Sequence, residues 1–232
     1  MVTTLTNELV RTWVNGWARS HGYDVHSEGG MHAALRADTT GDWEYILLAP
    51  NREQLASVAD TVKENPARTV MVISPSGKEL DGFNLPEPLQ IQGSGEKLMV
   101  TDMSQHDVES PITPEGYSVD TDLDNQLAIV TVTHTESGEL AARGRVAIEN
   151  GIAVFDRIFT TDDYRRQGLG SFVMRSLAAT ALAYDTDTGL LVSTPEGLQL
   201  YHYLGWNSLG NVSVLGTASA ETSHLTHSDE PH

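Results

Sequence analysis

The sequence predicts an α/β protein, more closely an α+β mixed sheet with helices on its faces, and an additional α/β subdomain at its N-terminal end. Two observations lead to this prediction. Short apolar runs typical of strands alternate with segments of helical periodicity along most of the chain. In addition, a strand-like run over residues 152–159 leads through a glycine-containing turn into a long amphipathic helix. Interleaved strands and helices are typical of a sheet covered by helices.

The N-terminal residues 1–110 are predicted to form an α/β subdomain. Its first helix covers Leu5 to His21, where large apolar residues recur at helical spacing, and Gly22 ends it. A second helix is expected over residues 52–64. The expected strands lie at residues 31–36, 43–48, 69–73 and 97–101. We expect this subdomain to extend the sheet or to shape a substrate pocket. The alternative that it is a degenerate copy of the C-terminal half stays open.

Residues 75–96 are rich in glycine and proline and are predicted to be a connecting loop. The second domain is predicted over residues 111–217. It begins with strands at residues 128–134, 144–149 and 152–159, joined by Ser137-Gly138 and by the strong turn signal Asn150-Gly151. Residues 218–232 are polar, lack periodicity and are expected to be a disordered tail.

The most informative segment is the turn from Tyr164 to Ser171. Gly168 and Gly170 allow the backbone to approach an anion closely, and the N–H groups at the start of the following helix attract negative charge. Arg165 and Arg166 add positive charge beside it. Eight small or apolar positions form one stripe on that helix: Leu169, Phe172, Val173, Ser176, Leu177, Thr180, Ala181 and Tyr184. The segment therefore predicts a pyrophosphate-binding turn.

Composition limits the classes of function. The chain has 232 residues, of which 39% are apolar and 20% charged, and it has no cysteine, which excludes disulfides, thiolate metal sites and a cysteine nucleophile. Its net charge of -18 repels nucleic acid and anionic membranes and favours cationic acceptors. No metal is expected, and the default location is the cytoplasm because no segment resembles a signal peptide.

Other anion-binding and catalytic motifs match the sequence less well. A dinucleotide-binding fold requires Gly-x-Gly-x-x-Gly, whereas this turn has only two glycines. A nucleotide P-loop requires a lysine, and none occurs after Lys97. No Ser-His-Asp grouping at recognisable spacing supports a hydrolase. A plain glycine turn entering a surface helix remains the simplest alternative.

At this turn the chain resembles the GNAT N-acetyltransferases, which transfer an acetyl group from acetyl-CoA to an amine. Arg165, Gly168 and Gly170 match the family pattern Arg/Gln-x-x-Gly-x-Gly/Ala. Leu200 to Trp206 resembles the pattern Leu-Tyr-x-x-Leu-Gly-Phe, with Trp206 in the last position. The resemblance covers about residues 112–217 and is poor over the first hundred.

The resemblance implies a cofactor-binding segment around the turn. The strand before it carries a bulge in this family, where a backbone N–H near Ile158 or Phe159 would bind the thioester carbonyl. The pyrophosphate would lie on the residues of the turn itself: Arg165, Arg166, Gln167, Gly168, Leu169, Gly170 and Ser171. The implied cosubstrate is acetyl-CoA.

Two residues are candidates for proton transfer. Asp156 occupies the strand position where many members carry a glutamate, and it could accept a proton from the amine, directly or through water. An ion pair with Arg157 or Arg145 is the structural alternative. Tyr201 matches the family's tyrosine and could protonate the leaving thiolate; a role in core packing is its alternative.

The predicted function is therefore direct transfer of an acetyl group to a primary amine, on a small molecule or a peptide, of unidentified structure. A non-catalytic acyl-CoA-binding sensor or interaction module is the rival hypothesis, and an α/β domain without a ligand is the third. No nucleic-acid or membrane partner is expected. A homodimer stays open.

Overall fold

The computed structural model describes residues 4–76, 80, 84–107 and 109–218, so nearly all of the predicted polar tail lies outside the described residues. The helices are α1 (Asn7–His21), α2 (Arg52–Glu64), α3 (Leu169–Leu182) and α4 (Leu198–Tyr203). The strands are β1 (Val25–Glu28), β2 (Met31–Leu35), β3 (Trp43–Leu48), β4 (Thr69–Ser74), β5 (Gln90–Asp102), β6 (Tyr117–Asp124), β7 (Leu127–His134), β8 (Leu140–Glu149), β9 (Ile152–Thr160), β10 (Thr188–Ser193) and β11 (Asn207–Gly216).

The described strands form one mixed sheet in the order β1-β2-β3-β4-β11-β5-β10-β9-β8-β7-β6. Two parallel β-α-β units lie within it, β3-α2-β4 and β9-α3-β10. The strand after each unit pairs with the other unit: β5 lies beside β10, and β11 lies beside β4. Because β5 and β11 also pair with each other, the sheet runs without interruption from the N-terminal to the C-terminal residues.

Helix ends follow the capping residues in the sequence. The Thr6 hydroxyl accepts a hydrogen bond from the Leu9 amide at the start of α1, and Gly22 ends the helix in the left-handed conformation with φ 73°. The prediction of this helix is confirmed, and α2 has the predicted bounds. No helix within the described ranges is long and apolar enough to cross a membrane.

Several strands differ from the sequence predictions: β1, β6 and β11 were not predicted, and β5 and β8 begin earlier than expected. The connecting loop predicted over residues 75–96 is wrong at its end, because β5 begins at Gln90. The glycines and polar residues of β5 give no strand pattern in the sequence. Its pairing with β11 is interrupted by three register shifts. The prediction also missed β6, an exposed edge strand whose repeated aspartates hinder pairing with another chain.

The two faces of the sheet bury different helices. Phe155 on β9 packs into the core beneath α3, whereas its neighbour Val154 packs against α1 on the other face. Helix α1 contacts β8 and β9 and also β1, β2 and β3. Since four strands separate β3 from β9, the sheet curls around α1, and the C-terminal end of this N-terminal helix reaches β9.

A glycine allows the close approach of α1 to β9. A Cβ atom at Gly16 would lie 2.5 Å from Cγ2 and 2.6 Å from Cβ of Val154. Both atoms belong to a stiff, fully buried β-branched side chain that has no room to move aside. Position 16 therefore sets the distance between helix and strand.

We predict that Gly16→Ala lowers the free energy of unfolding by about 1 to 3 kcal/mol, because the added methyl overpacks this contact. Helix propensity alone would give a gain of about 1 kcal/mol, so the two effects have opposite signs. Thermal and denaturant unfolding measure the change. In a Val154→Ala background the same substitution should become neutral or stabilising; a gain in the wild-type background would contradict the prediction.

Candidate functional site

The site is built around a bulge in β9. Arg143 pairs with Phe159 and Arg145 with Asp156, so β9 contains one residue more than β8 between these pairs. Arg157 lies in this bulge with φ 49°. Because of the extra residue, Phe155 and Ile158 both pack against the core beneath α3.

Beyond Val154, β9 and β10 separate. Their parallel pairing ends at Val154 and Leu190, while β10 continues to Ser193 paired only with β5. In the described part of the sheet, β9 therefore has a strand partner on only one edge from Phe155 onward. This opening contains the segment with Ile158 and Phe159, where the thioester-binding amide was predicted. A backbone N–H on this edge is available to a ligand.

The predicted turn lies at the end of this opening. Gly168 has φ 82° and is the residue before α3, and it makes no capping hydrogen bond from a side chain. The first backbone hydrogen bond of the helix runs from the Phe172 amide to the Gly168 carbonyl. Within the described chain, the amides of Leu169, Gly170 and Ser171 donate to no carbonyl or side chain. Residues 165–168 are exposed, and free N–H groups at a helix start attract anions.

The start of α2, in the N-terminal unit β3-α2-β4, is capped by side chains. Asn51 precedes α2, and its side chain accepts a hydrogen bond from the Gln54 amide at 2.9 Å. The Gln54 side chain in turn accepts one from the Asn51 amide at 3.0 Å. This capping box engages the Gln54 amide, whose equivalent in α3, the Ser171 amide, is free, so the two helix starts differ.

Side chains around the open turn are only partly arranged as predicted. The Arg165 guanidinium forms an exposed ion pair with Asp162 at 2.7 Å, and Arg166 is exposed with φ 62°. Gln167 accepts a hydrogen bond from the Tyr117 hydroxyl at 2.7 Å, a contact that the sequence did not reveal. Arg157, eight residues before Arg165, points elsewhere and binds Asp38 at 2.8 Å.

Asp156 lies at the bulge, on the face of the sheet that α1 covers. Its Oδ2 atom is 2.7 Å from the Ser20 hydroxyl and 2.7 Å from Nε2 of His21, both at the C-terminal end of α1. The side chain is 18% exposed. The predicted alternative, a structural pair with a basic neighbour, is thus partly realised, but with a histidine from the N-terminal half.

Tyr201 lies on the opposite face, within the core beneath α3. It is 8% exposed and packs beside Trp206, whose ring also meets Phe155 edge to face at 5.2 Å. Burial, and secondarily the Asp156 carboxylate, raise the pKa of Tyr201 above its ordinary value. The phenol is therefore protonated at neutral pH but is a weaker acid than an exposed tyrosine.

The start of α4 differs from the prediction. Thr194 and Pro195 are residue types typical of a helix cap and first turn, so the sequence predicts a helix that begins there, but the helix begins at Leu198 after Gly197. Thr194 instead accepts a hydrogen bond from the Gly197 amide at 3.3 Å, which stabilises a separate turn.

Sequence reasoning missed a second group of acids on the α1 face. Glu44 on β3 is buried 3.4 Å from Arg36. Burial and the carboxylates of Glu44 and Glu196 raise the pKa of Glu96 on β5 to about 7. Only the curled sheet brings β3 and β5 residues together, so spacing along the chain gave no signal. Asp120 lies exposed on the edge strand β6.

Solved structures with the same fold were found by structural comparison. A GCN5-related N-acetyltransferase from Kribbella flavida superposes with a TM-score of 0.64 at 14% identity, over 94% of this chain and 97% of that chain. A tandem GNAT protein from the clavulanic acid biosynthesis pathway gives 0.57 at 13% identity, over 84% and 82%. A GCN5-related N-acetyltransferase from Sphaerobacter thermophilus gives 0.55 at 11% identity, over 90% and 84%.

These similarities establish an α/β fold of the GNAT type, in agreement with the resemblance in the sequence. They extend over the N-terminal residues as well, where the sequence patterns were poor. No protein-family model matches the chain. No curated protein is similar to it in sequence.

We predict that Glu96→Gln stabilises the protein at pH 8 by about 1 to 3 kcal/mol and has little effect at pH 5. An acid whose folded pKa is about 7, above the ordinary 4.5, costs stability once it ionises, so the penalty grows as pH rises through this window. Urea unfolding at both pH values measures it. The exposed Glu196→Gln should show a smaller effect of the same sign, and equal gains at pH 5 and pH 8 would refute the assignment.

Proposed function

We propose that the protein is an N-acetyltransferase that transfers the acetyl group of acetyl-CoA directly to a primary amine. One observation carries the proposal: the free amides at the start of α3 lie next to the opening between β9 and β10. An anion-binding turn beside an unpaired strand edge suits a ligand with a pyrophosphate and a long, amide-containing arm. The fold of the GNAT type supports the same assignment.

The residues around the turn fit such a ligand. The amides of Leu169, Gly170 and Ser171 would bind the pyrophosphate, with Arg165 and Arg166 nearby. Gly170 leaves this approach open, since a Cβ atom there would lie 3.3 Å from Leu200 and partly fill the space between α3 and α4. The acyl arm would enter the opening, where an amide near Ile158 or Phe159 would bind the thioester oxygen.

The reaction would form a bond from the amine nitrogen to the acetyl carbon and break the bond from that carbon to sulfur. The ammonium loses one proton to Asp156, directly or through water, and the nitrogen loses a second proton to water as the amide forms, while CoA leaves as a thiolate. Tyr201 donates a hydrogen bond to the sulfur as negative charge develops on it. Its raised pKa makes this role more favourable than complete proton transfer to the sulfur.

The acceptor would approach from the α1 face. Asp156 lies there, and the acids Glu44 and Glu96 belong to the same face. Together with the net charge of -18 they favour a cationic amine, on a small molecule or a peptide. A cytoplasmic setting agrees with this cosubstrate. Association into a homodimer is a separate proposal that sedimentation would test.

A non-catalytic acyl-CoA sensor is the second candidate. It is favoured by the hydrogen bonds that already engage Asp156. It predicts binding of acetyl-CoA without release of CoA on a broad panel of amines. Catalysis is favoured by Asp156 and Tyr201 together, because the carboxylate is close enough to raise the pKa of the phenol and both flank the opening.

We predict that Ser171→Glu abolishes the rise in melting temperature caused by acetyl-CoA while leaving the free protein equally or more stable. A carboxylate in the first turn stabilises a helix by about 0.3 to 1 kcal/mol but repels a pyrophosphate. Differential scanning fluorimetry measures both effects.

Gln54→Glu is the matched control, since it places the same charge at the same helical position of α2. It should keep the full shift. A normal shift in Ser171→Glu, or no shift in the wild-type protein, would refute the binding site.

We predict that Tyr201→Phe lowers kcat about 10- to 100-fold with acetyl-CoA affinity unchanged, because a hydrogen bond to the leaving sulfur is lost. The raised pKa keeps the phenol protonated, so its ionisation should cause no loss of kcat between pH 7 and 10 in the wild-type enzyme. Steady-state release of CoA measures both. The exposed Tyr203→Phe on the same helix serves as control; an unchanged kcat in Tyr201→Phe would remove this residue from the mechanism.

A further inference from the structure

The N-terminal half contributes side chains to the bulge of β9. Ser20 and His21 end α1, and both contact the same oxygen of Asp156 at 2.7 Å. The position of this helix end is fixed by several further contacts. Arg145 donates to the Ser20 carbonyl, and Arg19 forms an ion pair with Glu149 at 2.7 Å. The contact between α1 and Asp156 is thus built into the fold.

The hydrogen-bond network determines the tautomer of His21. Arg157 lies 2.9 Å from Nδ1 of His21, and a guanidinium can only donate. Nδ1 must therefore accept, the proton is on Nε2, and this N–H donates to Asp156. With Nδ1 accepting from Arg157, the Nε2–H group is the donor that faces Asp156.

A second set of contacts holds Arg157 in place. Asp38 accepts a hydrogen bond from Arg157 at 2.8 Å, and it also accepts one from the Tyr23 hydroxyl. Partial burial of Asp38 opposes its ionisation, but the hydrogen bond from Tyr23 and the neighbouring positive charge lower its pKa. An ionised Asp38 orients Arg157, which orients His21.

We propose that His21 is a positioning residue for the acetyl transfer: it donates to Asp156, fixes the direction of the carboxylate and favours its ionised form. This inference rests on the proposed function, and it assigns part of the reacting site to the N-terminal half of the chain. The Ser20 hydroxyl also lies 2.7 Å from this oxygen, but its single proton is shared with the Trp17 carbonyl at 2.8 Å. A carboxylate held by the His21 donor is directed and charged for an arriving ammonium.

Other charged or titratable groups act on the same carboxylate and stay in place in the experiment. Arg145 faces Asp156 across the ladder between β8 and β9. Tyr201 couples to Asp156 from α4, and Glu44 couples to His21 from β3. A change confined to His21 alters one donor within this set.

The test compares His21→Leu with His21→Gln. Leucine removes the donor, whereas glutamine can place an amide N–H where Nε2 lies. In His21→Leu, kcat/KM should fall about 10- to 100-fold and the acidic limb of its pH profile should move up by about 1 pH unit, because the carboxylate loses a stabilising donor. In His21→Gln, rate and profile should return to within about threefold of wild type.

Matched controls separate this role from stability and from cofactor binding. His26→Leu makes the same change at an exposed histidine on β1 and should behave as wild type. The thermal shift with acetyl-CoA should be unchanged in all three variants. Wild-type rate and profile in His21→Leu would overturn the proposal, and a His21→Gln variant as impaired as His21→Leu would assign His21 as a proton acceptor instead.

A second measurement does not depend on turnover. In protein labelled with carboxyl-¹³C aspartate, the Asp156 signal, assigned by Asp156→Asn, should titrate at higher pH in His21→Leu than in wild type. An identical midpoint would overturn the proposal. If the wild-type protein releases no CoA with any amine, the proposed function fails, and this titration alone decides whether His21 controls the carboxylate.

Discussion

The separation of β9 from β10 after Val154 is the constraint on which the candidate site depends. Two parallel strands of one sheet ordinarily continue their hydrogen bonds, but the bulge at Arg157 turns β9 away while β5 keeps β10 in the sheet. The separation exposes one edge of β9 and brings the open turn at Gly168 to its end. It also places Asp156 and Tyr201 on opposite faces at the same gap. Without this separation, no open strand edge would lie beside the free amides of α3 to receive the acyl arm of the proposed ligand.

Helix α1 links this gap to the N-terminal half. Gly16 lets the helix lie directly on Val154, and one turn later Ser20 and His21 reach Asp156. The fold thus uses one small residue to set the position of two polar ones. In the N-terminal unit Asn51 caps α2, and the N-terminal half supplies the helix α1 that covers one face of the C-terminal unit. The C-terminal unit therefore carries the open turn and the gap between β9 and β10, and the N-terminal half supplies the side chains that contact Asp156.

Much of this could be predicted from local sequence. The periodicity of α1 and α2, the turn signals at Gly138 and Asn150-Gly151, and the glycines of the anion turn each depend on neighbouring residues, and the structure has these elements where predicted. Local patterns did not reveal the full length of β5, because its glycines are typical of a loop. Pairing with β10 and β11, which are distant in the sequence, stabilises it as a strand. The partners of Asp156 were equally hidden, because 135 residues separate it from His21 and only the curled sheet brings them together. The raised pKa of Tyr201 has the same origin in tertiary burial.

The exchange of β5 and β11 between the two units has a consequence for synthesis on the ribosome. Both neighbours of β5 in the sheet, and one neighbour of β4, lie later in the chain than these strands and are synthesised after them. Until β10 and β11 emerge, the nascent polypeptide presents the apolar run Val70–Ile73 beside an incomplete sheet, which is a template for intermolecular aggregation. The N-terminal strands therefore complete their pairing only after the strands of the other unit have been synthesised.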